Sequence, residues 1–134
     1  MTTAALNLLI LPDGRVDFAP GETLSLEYTL DPACADDIEA LEISVLWYTE
    51  GKGDEDMAVH FFERIEREAV GFVDFRQPRR FDTILPNSPL SYEGVIVKIH
   101  WCVRARAFLA RGKQLVEERP FRLGNIPPAR AVLP

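Results

Sequence analysis

Several stretches of this chain are apolar at every second residue, and that period confines them to β-structure. Over 23–30, Leu24, Leu26, Tyr28 and Leu30 alternate with Thr23, Ser25, Glu27 and Thr29. Such spacing puts the apolar side chains on one face of a half-buried strand. Over 41–48, Leu41, Ile43, Val45 and Trp47 repeat the pattern, while Leu46 and Tyr48 make the second face partly apolar. The longest run is 93–109. Val95, Val97, Ile99, Trp101, Val103, Ala105, Ala107 and Leu109 face one way; Gly94, Ile96, Lys98, His100, Cys102, Arg104, Arg106 and Phe108 face the other. It far exceeds a strand of ~5–6 residues, so it is expected to bend or carry a bulge and to organise the domain.

Shorter strands are expected at 4–11, 15–19, 57–65, 69–75, 79–85 and 114–123. Pro12-Asp13-Gly14, Pro20-Gly21, Gly51-Lys52-Gly53-Asp54 and Arg111-Gly112-Lys113 separate them with turn chemistry, the last as a hairpin loop. In 60–69, Glu and Arg at i, i+4 spacing suit a helix. Val59, Phe61 and Ile65 form no helical stripe, however, so a strand running into a loop is expected. About eight or nine short strands with regular turn signals predict an all-β fold, a two-sheet antiparallel β-sandwich. The chain reads as a single domain over 1–134, with 124–134, which holds Asn125-Ile126-Pro127-Pro128, as an extended C-terminal tail.

Of 134 residues, 47% are hydrophobic, too many for a disordered tail. Against 21 acidic residues stand 15 basic ones, and the net charge of −6 opposes nonspecific nucleic-acid binding. The charge is uneven: residues 1–56 hold 13 acids and 2 bases, whereas 57–134 hold 8 acids and 13 bases. No Lys or Arg precedes the apolar run at 6–11, which reads as a strand rather than a secretory signal, and no run approaches the ~20 apolar residues of a membrane helix. Cys34 and Cys102 share no CxxC spacing; reduced thiols in a cytoplasmic protein are expected, with a disulfide between them as the alternative.

Two segments resemble a known group. Val16-Asp17-Phe18-Ala19-Pro20-Gly21-Glu22-Thr23-Leu24-Ser25-Leu26 resembles the opening strand of arrestin-like and other immunoglobulin-like sandwiches. More specific is Phe81-Asp82-Thr83-Ile84-Leu85-Pro86, then Pro89-Leu90-Ser91-Tyr92-Glu93-Gly94, then Val97 to Ala105 with Trp101 at its centre. This stretch is similar to the "L-P-x-x-P-x-S-y-e-G" and following strand of arrestin-fold proteins, a group that includes visual arrestins, α-arrestins and bacterial sporulation-control proteins. Pro120-Phe121-Arg122-Leu123 resembles the group's closing strand. The resemblance covers 16–123 and implies a single immunoglobulin-like, arrestin-like sandwich with a non-catalytic adaptor or scaffold role. The tandem sandwiches of visual arrestins are not matched, so phosphate sensing and receptor binding are not implied.

Catalytic chemistry finds little support in the residues. Cys102 and His100 share a strand face, but ~6.5–7 Å along a strand is beyond the reach of a nucleophile and its base. His60 with Asp54, Glu55 or Asp56 matches no metal-ligand spacing, and the acidic loop 51–56 lacks the spacing of a calcium-binding loop. No catalytic residue, metal or cofactor is therefore expected. The basic residues Arg76, Arg79, Arg80, Lys98, His100, Arg104 and Arg106 are the candidate partner-binding set. If the strands carrying them pair, one sheet bears a cationic stripe; a solvated face balanced by Glu63, Glu66, Glu68, Glu117 and Glu118 is the other reading.

The expected function is a protein-interaction or scaffolding module. Its partner is a protein, a second copy of the chain included, with no nucleic acid and no membrane insertion. The alternative is a small-ligand or carbohydrate-binding sandwich that stacks its ligand on exposed Trp47, Tyr48 or Phe62.

Overall fold

A computed structural model describes residues 6–12, 14–31, 36–53, 55–67, 75 and 77–124. The expected strand at 69–75 lies, Phe75 apart, outside the described residues, as does the expected tail beyond Gly124. The strands in chain order are β1 (Leu6–Leu11), β2 (Asp17–Phe18), β3 (Thr23–Leu30), β4 (Ile38–Gly51), β5 (Met57–Glu66), β6 (Arg79–Ile84), β7 (Tyr92–Glu93), β8 (Val97–Leu109) and β9 (Gln114–Leu123), with a 3-10 turn at Ala110–Gly112. They form a β-sandwich. The small sheet runs β1-β3-β6; the large sheet runs β2-β9-β8-β4-β5, with β7 beside β8. Among the described residues only β2–β9 pairs in parallel. No helix among them is long and apolar enough to cross a membrane.

Alternation decides what fills the core. Leu24, Leu26, Tyr28 and Leu30 of β3 are buried, as are Leu6, Leu8 and Ile10 of β1. From the large sheet, Leu41, Ile43, Val45, Trp101, Val103, Ala105, Ala107, Phe121 and Leu123 meet them. Each Leu, Ile, Val or Phe among them contributes about 1.5–3 kcal/mol when fully buried. Tyr28 is wholly buried with its hydroxyl unpartnered, stacked on Phe81 at 6.0 Å between ring centroids. Burial pushes its pKa up to about 12.

The long run expected at 93–109 is divided. β8 begins only at Val97, and Tyr92 and Glu93 fold back to pair with Ile99 and Lys98. The turn between them places Val95 and Ile96 in solvent, 79% and 68% exposed, so the inward direction expected for Val95 is corrected. Two glycines make the fold-back possible. At Gly94 a Cβ would lie 2.6 Å from the Val97 carbonyl oxygen, and at Gly51 (φ 142°) it would lie 2.2 Å from that of Ile96. Only glycine tolerates such approaches.

The segment 86–91 is stapled to β8 and β9. Trp101 Nε1 donates to the Pro89 carbonyl at 2.7 Å. Ser91 N donates to the Leu123 carbonyl, and Leu123 N donates to Ser91 Oγ, both at 2.8 Å. At the other resembling segment, Glu22 accepts from Ala19 N at 2.7 Å and pairs with Arg15, closing the Pro20-Gly21 turn. These bonds, that from Ala19 first, hold its carboxyl below the usual range.

Trp101→Ala should cost about 3–5 kcal/mol, because it removes a core aromatic and the bond to Pro89 together. Arg104→Ala, which loses one solvent-facing ion pair, should cost less than about 1 kcal/mol. Urea unfolding of both variants checks this; equal and small losses would contradict the assigned faces of β8.

Candidate functional site on the outer face of the large sheet

The outward residues of β8 form the candidate site. Alternation from Lys98 through His100, Cys102, Arg104 and Arg106 to Phe108 sets all six on the solvent side of the large sheet. The pairing register gives each a neighbour. Lys98 lies between Glu50 and Glu93, His100 beside Tyr48, and Cys102 between Leu46 and Pro120. Arg104 lies between Ser44 and Glu118, and Arg106 between Glu42 and Val116.

Charge pairing along this face is uneven. Arg104 Nε donates to Glu118 Oε1 at 2.7 Å. Arg64 of β5 donates to Glu42 at 2.7 Å and to Glu66 at 3.0 Å, with its guanidinium 5.2 Å from the Phe108 ring centre. Arg106 Nε is buried and has no acceptor. His100 Nε2 lies 3.3 Å from Glu50 Oε2, an ion-pair distance without hydrogen-bond alignment, so its nitrogen also stays unbonded. Acidic and basic halves of the chain thus meet within the large sheet, where Glu42 pairs with Arg64 and Glu50 lies beside His100.

The expected stripe is only partly assembled. Lys98, His100, Arg104 and Arg106 share a face. Arg79 and Arg80 do not join them, because β6 hydrogen-bonds to β3 in the small sheet, where Arg79 opposes Tyr28 and Arg80 opposes Glu27. Arg80 there donates to Asp82 at 3.3 Å and to Ser25 Oγ at 3.0 Å. Bonds from Ser25 and then Arg80 hold the Asp82 carboxyl below its usual range. Arg76 lies outside the described residues.

The remaining candidates resolve by position. Cys102 is a free thiol, 3% exposed, packed under the outer face. Burial, with Glu118 adding to it, pushes its pKa up to about 11, so it is a protonated filler rather than a nucleophile. His60 points away from the acidic loop: Nε2 is 2.8 Å from the Ile84 carbonyl and its ring meets Trp101 edge-on at 6.1 Å. That bond ties β5 to β6 across the open side of the sandwich. Asp54 and Cys34 lie outside the described residues, and among the described ones no group of three His, Cys, Asp or Glu side chains is placed to hold a metal. Trp101 is buried and Trp47 packs against the core, which removes both tryptophans as ligand platforms; Phe62 stays exposed.

Sequence reasoning named exposed Phe62 but missed the rest of the apolar surface of β5, Met57 and Val59. Met57, Val59 and Phe62 are 57%, 50% and 54% exposed. The signal was present, since 57–62 contains no Asp, Glu, Lys or Arg, but which side of a strand faces water depends on what covers it.

No protein-family model matches this chain, and no curated protein matches it in sequence. Among solved structures, it is similar to Spo0M, a sporulation control protein from Bacillus subtilis, with a TM-score of 0.61 and 12% identity. The match covers 94% of this chain and 51% of that one, so the chain spans about half the length of the Spo0M chain. A superoxide reductase (neelaredoxin) from Ignicoccus hospitalis gives a TM-score of 0.51 and 9% identity, covering 90% of this chain and 81% of that one. These likenesses share a β-sandwich fold, on which a control protein and a reductase are both built; the fold alone does not choose between them.

The buried thiol gives a direct check. Cys102 should resist alkylation in the folded protein at mildly alkaline pH and react fully on unfolding, as followed by mass spectrometry of its peptide. Its raised pKa means the folded state keeps a proton that the unfolded chain loses from about pH 9. The stability it contributes is full below that and falls as pH rises toward about 11. Denaturant titrations should therefore show a steeper alkaline decline in the wild type than in Cys102→Ala. Rapid labelling of the folded protein would contradict this placement.

Proposed function

We propose that this chain is a non-catalytic protein-interaction module that docks a protein partner on the outer face of its large sheet. The observation that carries the reading is the Arg106 guanidinium, whose Nε is buried without an acceptor between Glu42 and Val116. An unmade bond at a buried donor carries a cost of about 1–3 kcal/mol, which is relieved when the half-buried Arg106 side chain turns outward to a partner's acceptor. Lys98, His100 and Arg104 extend the same line, and exposed Phe62 and Val116 flank it, the combination of cations and apolar anchors that suits an interface. The likeness of fold to Spo0M, a sporulation control protein, is compatible with this role. The free thiol of Cys102 supports a cytoplasmic setting. Carbohydrate stacking is not favoured, since Trp47 and Trp101 belong to the interior.

Affinity capture from native lysate, run in parallel with the wild type and a Lys98→Glu/Arg106→Glu double variant of matched thermal stability, tests this. A set of proteins retained by the wild type should fall at least about tenfold with the variant, as loss of a paired charge at an interface requires. An unchanged set would overturn the docking face, and an empty one the interaction reading itself.

A further inference from the structure

A sandwich adds a partner strand most readily along an unguarded sheet edge. Three edges here are guarded. The open stretch of β9 carries Glu117, Glu118, Arg119 and Pro120, and proline brings no N–H to a ladder. β6 is short, lies between Pro78 and Pro86, and has its Ile84 carbonyl engaged by His60. β1 spans only six residues and runs into Pro12. β5 differs. It spans ten residues without a proline, and among the described residues β4 is its only ladder partner.

A bulge divides β5. Val59 opposes Leu46 and Phe61 opposes Val45, so His60 is the extra residue, with its ring turned toward Ile84. Residues 61–66 form the regular stretch that another strand can join. Two identical edges related by a two-fold axis pair antiparallel about one residue. An axis at Phe61 or Phe62 carries the pairing back through the bulge, where inward side chains would oppose outward ones. An axis at Glu63, Arg64 or Glu66 sets each of those charges against itself. Ile65 alone remains. There Arg64 opposes Glu66, Glu66 opposes Arg64, and Glu63 and Arg67 oppose each other, because Glu63-Arg64-Ile65-Glu66-Arg67 is complementary to its own reversal.

The side chains are already placed for this. Arg64 and Glu66 stand on the outer face 3.0 Å apart, 41% and 61% exposed, with Glu42 behind Arg64 at 2.7 Å. Arg67 donates from Nε to the Ile38 carbonyl, so the Arg64–Glu66 pairs carry the argument and Glu63–Arg67 supplements it. We propose that the chain pairs with a second copy of itself through antiparallel β5 edges centred on Ile65, joined by Arg64–Glu66 ion pairs across the axis. This deepens the interaction reading and rests on it. A seam of about six residues falls below the ~1,000 Å² of a stable interface, so the dimer is weak, and its exposed ion pairs make it salt-sensitive.

Sedimentation equilibrium of the whole chain, from micromolar to millimolar concentration at low and high salt, tests the proposal. The mean mass should climb toward twice that of the monomer at low salt and fall back at high salt. Arg64→Glu and Glu66→Arg should each weaken association about tenfold or more, and the double variant Arg64→Glu/Glu66→Arg should restore it. Both Arg64→Glu and the double variant lose the Glu42 pair, so damage to the fold is shared between them; Glu66→Arg keeps that pair and serves if Arg64→Glu fails to fold. A wild type monomeric throughout, or single reversals without effect, or no recovery in the double variant, would overturn the self-pairing. A monomer that still captures proteins through Arg106 would leave the interaction reading standing.

Discussion

The ladder between β4 and β8 holds the rest of the molecule in register. It runs for 13 cross-strand pairs, from Ile38–Leu109 to Gly51–Val97. Its inner side sends Leu41, Ile43, Val45, Trp101, Val103, Ala105 and Ala107 into the core. Its outer side fixes which charges stand beside one another. A slip of one residue would exchange those faces, driving Arg104 and Arg106 inward and exposing Trp101. Trp101 adds a second constraint, since its bond to the Pro89 carbonyl orders the segment that crosses from the small sheet back to the large one.

Much of this was legible as period two. β3 and β9 have the limits that alternation and turn residues predict, and the face assigned to Trp101, Val103, Ala105 and Ala107 is the buried one. The resemblance to arrestin-fold proteins agrees with the observed sandwich, and its Leu-Pro-x-x-Pro-x-Ser stretch acquires a physical reason in the bonds of Pro89 and Ser91. Illegible were features that depend on neighbours distant in sequence. Val95 and Ile96 continue the alternation of β8, yet Gly94 lets the chain fold back before them. Arg79 and Arg80 open β6, which pairs in the other sheet, and no local pattern encodes that choice.

The candidate site follows from the same logic. A large sheet covered on one side by a small one keeps its outer face in water, where Arg104, Arg106 and Lys98 stand in line. Glu118 meets Arg104 and Glu42 meets Arg64 from adjacent strands, so part of the charge on this face is paired inside the sheet, while Arg106 Nε has no acceptor. Such pairing favours geometric selection of partners over long-range attraction. It also explains why the difference in charge between the two halves of the chain is no measure of the field outside the molecule.

The central claim is that β4 and β8 form a fixed scaffold while β5 is an edge open to a second copy. Amide hydrogen exchange at two protein concentrations tests it most directly. The account predicts that amides of β4 and β8 exchange slowly and equally at both, while those of β5 between Phe61 and Glu66 that point away from β4 exchange quickly when dilute and become protected when concentrated. Protection of those β5 amides in the dilute monomer, or no change on concentrating the protein, would contradict it.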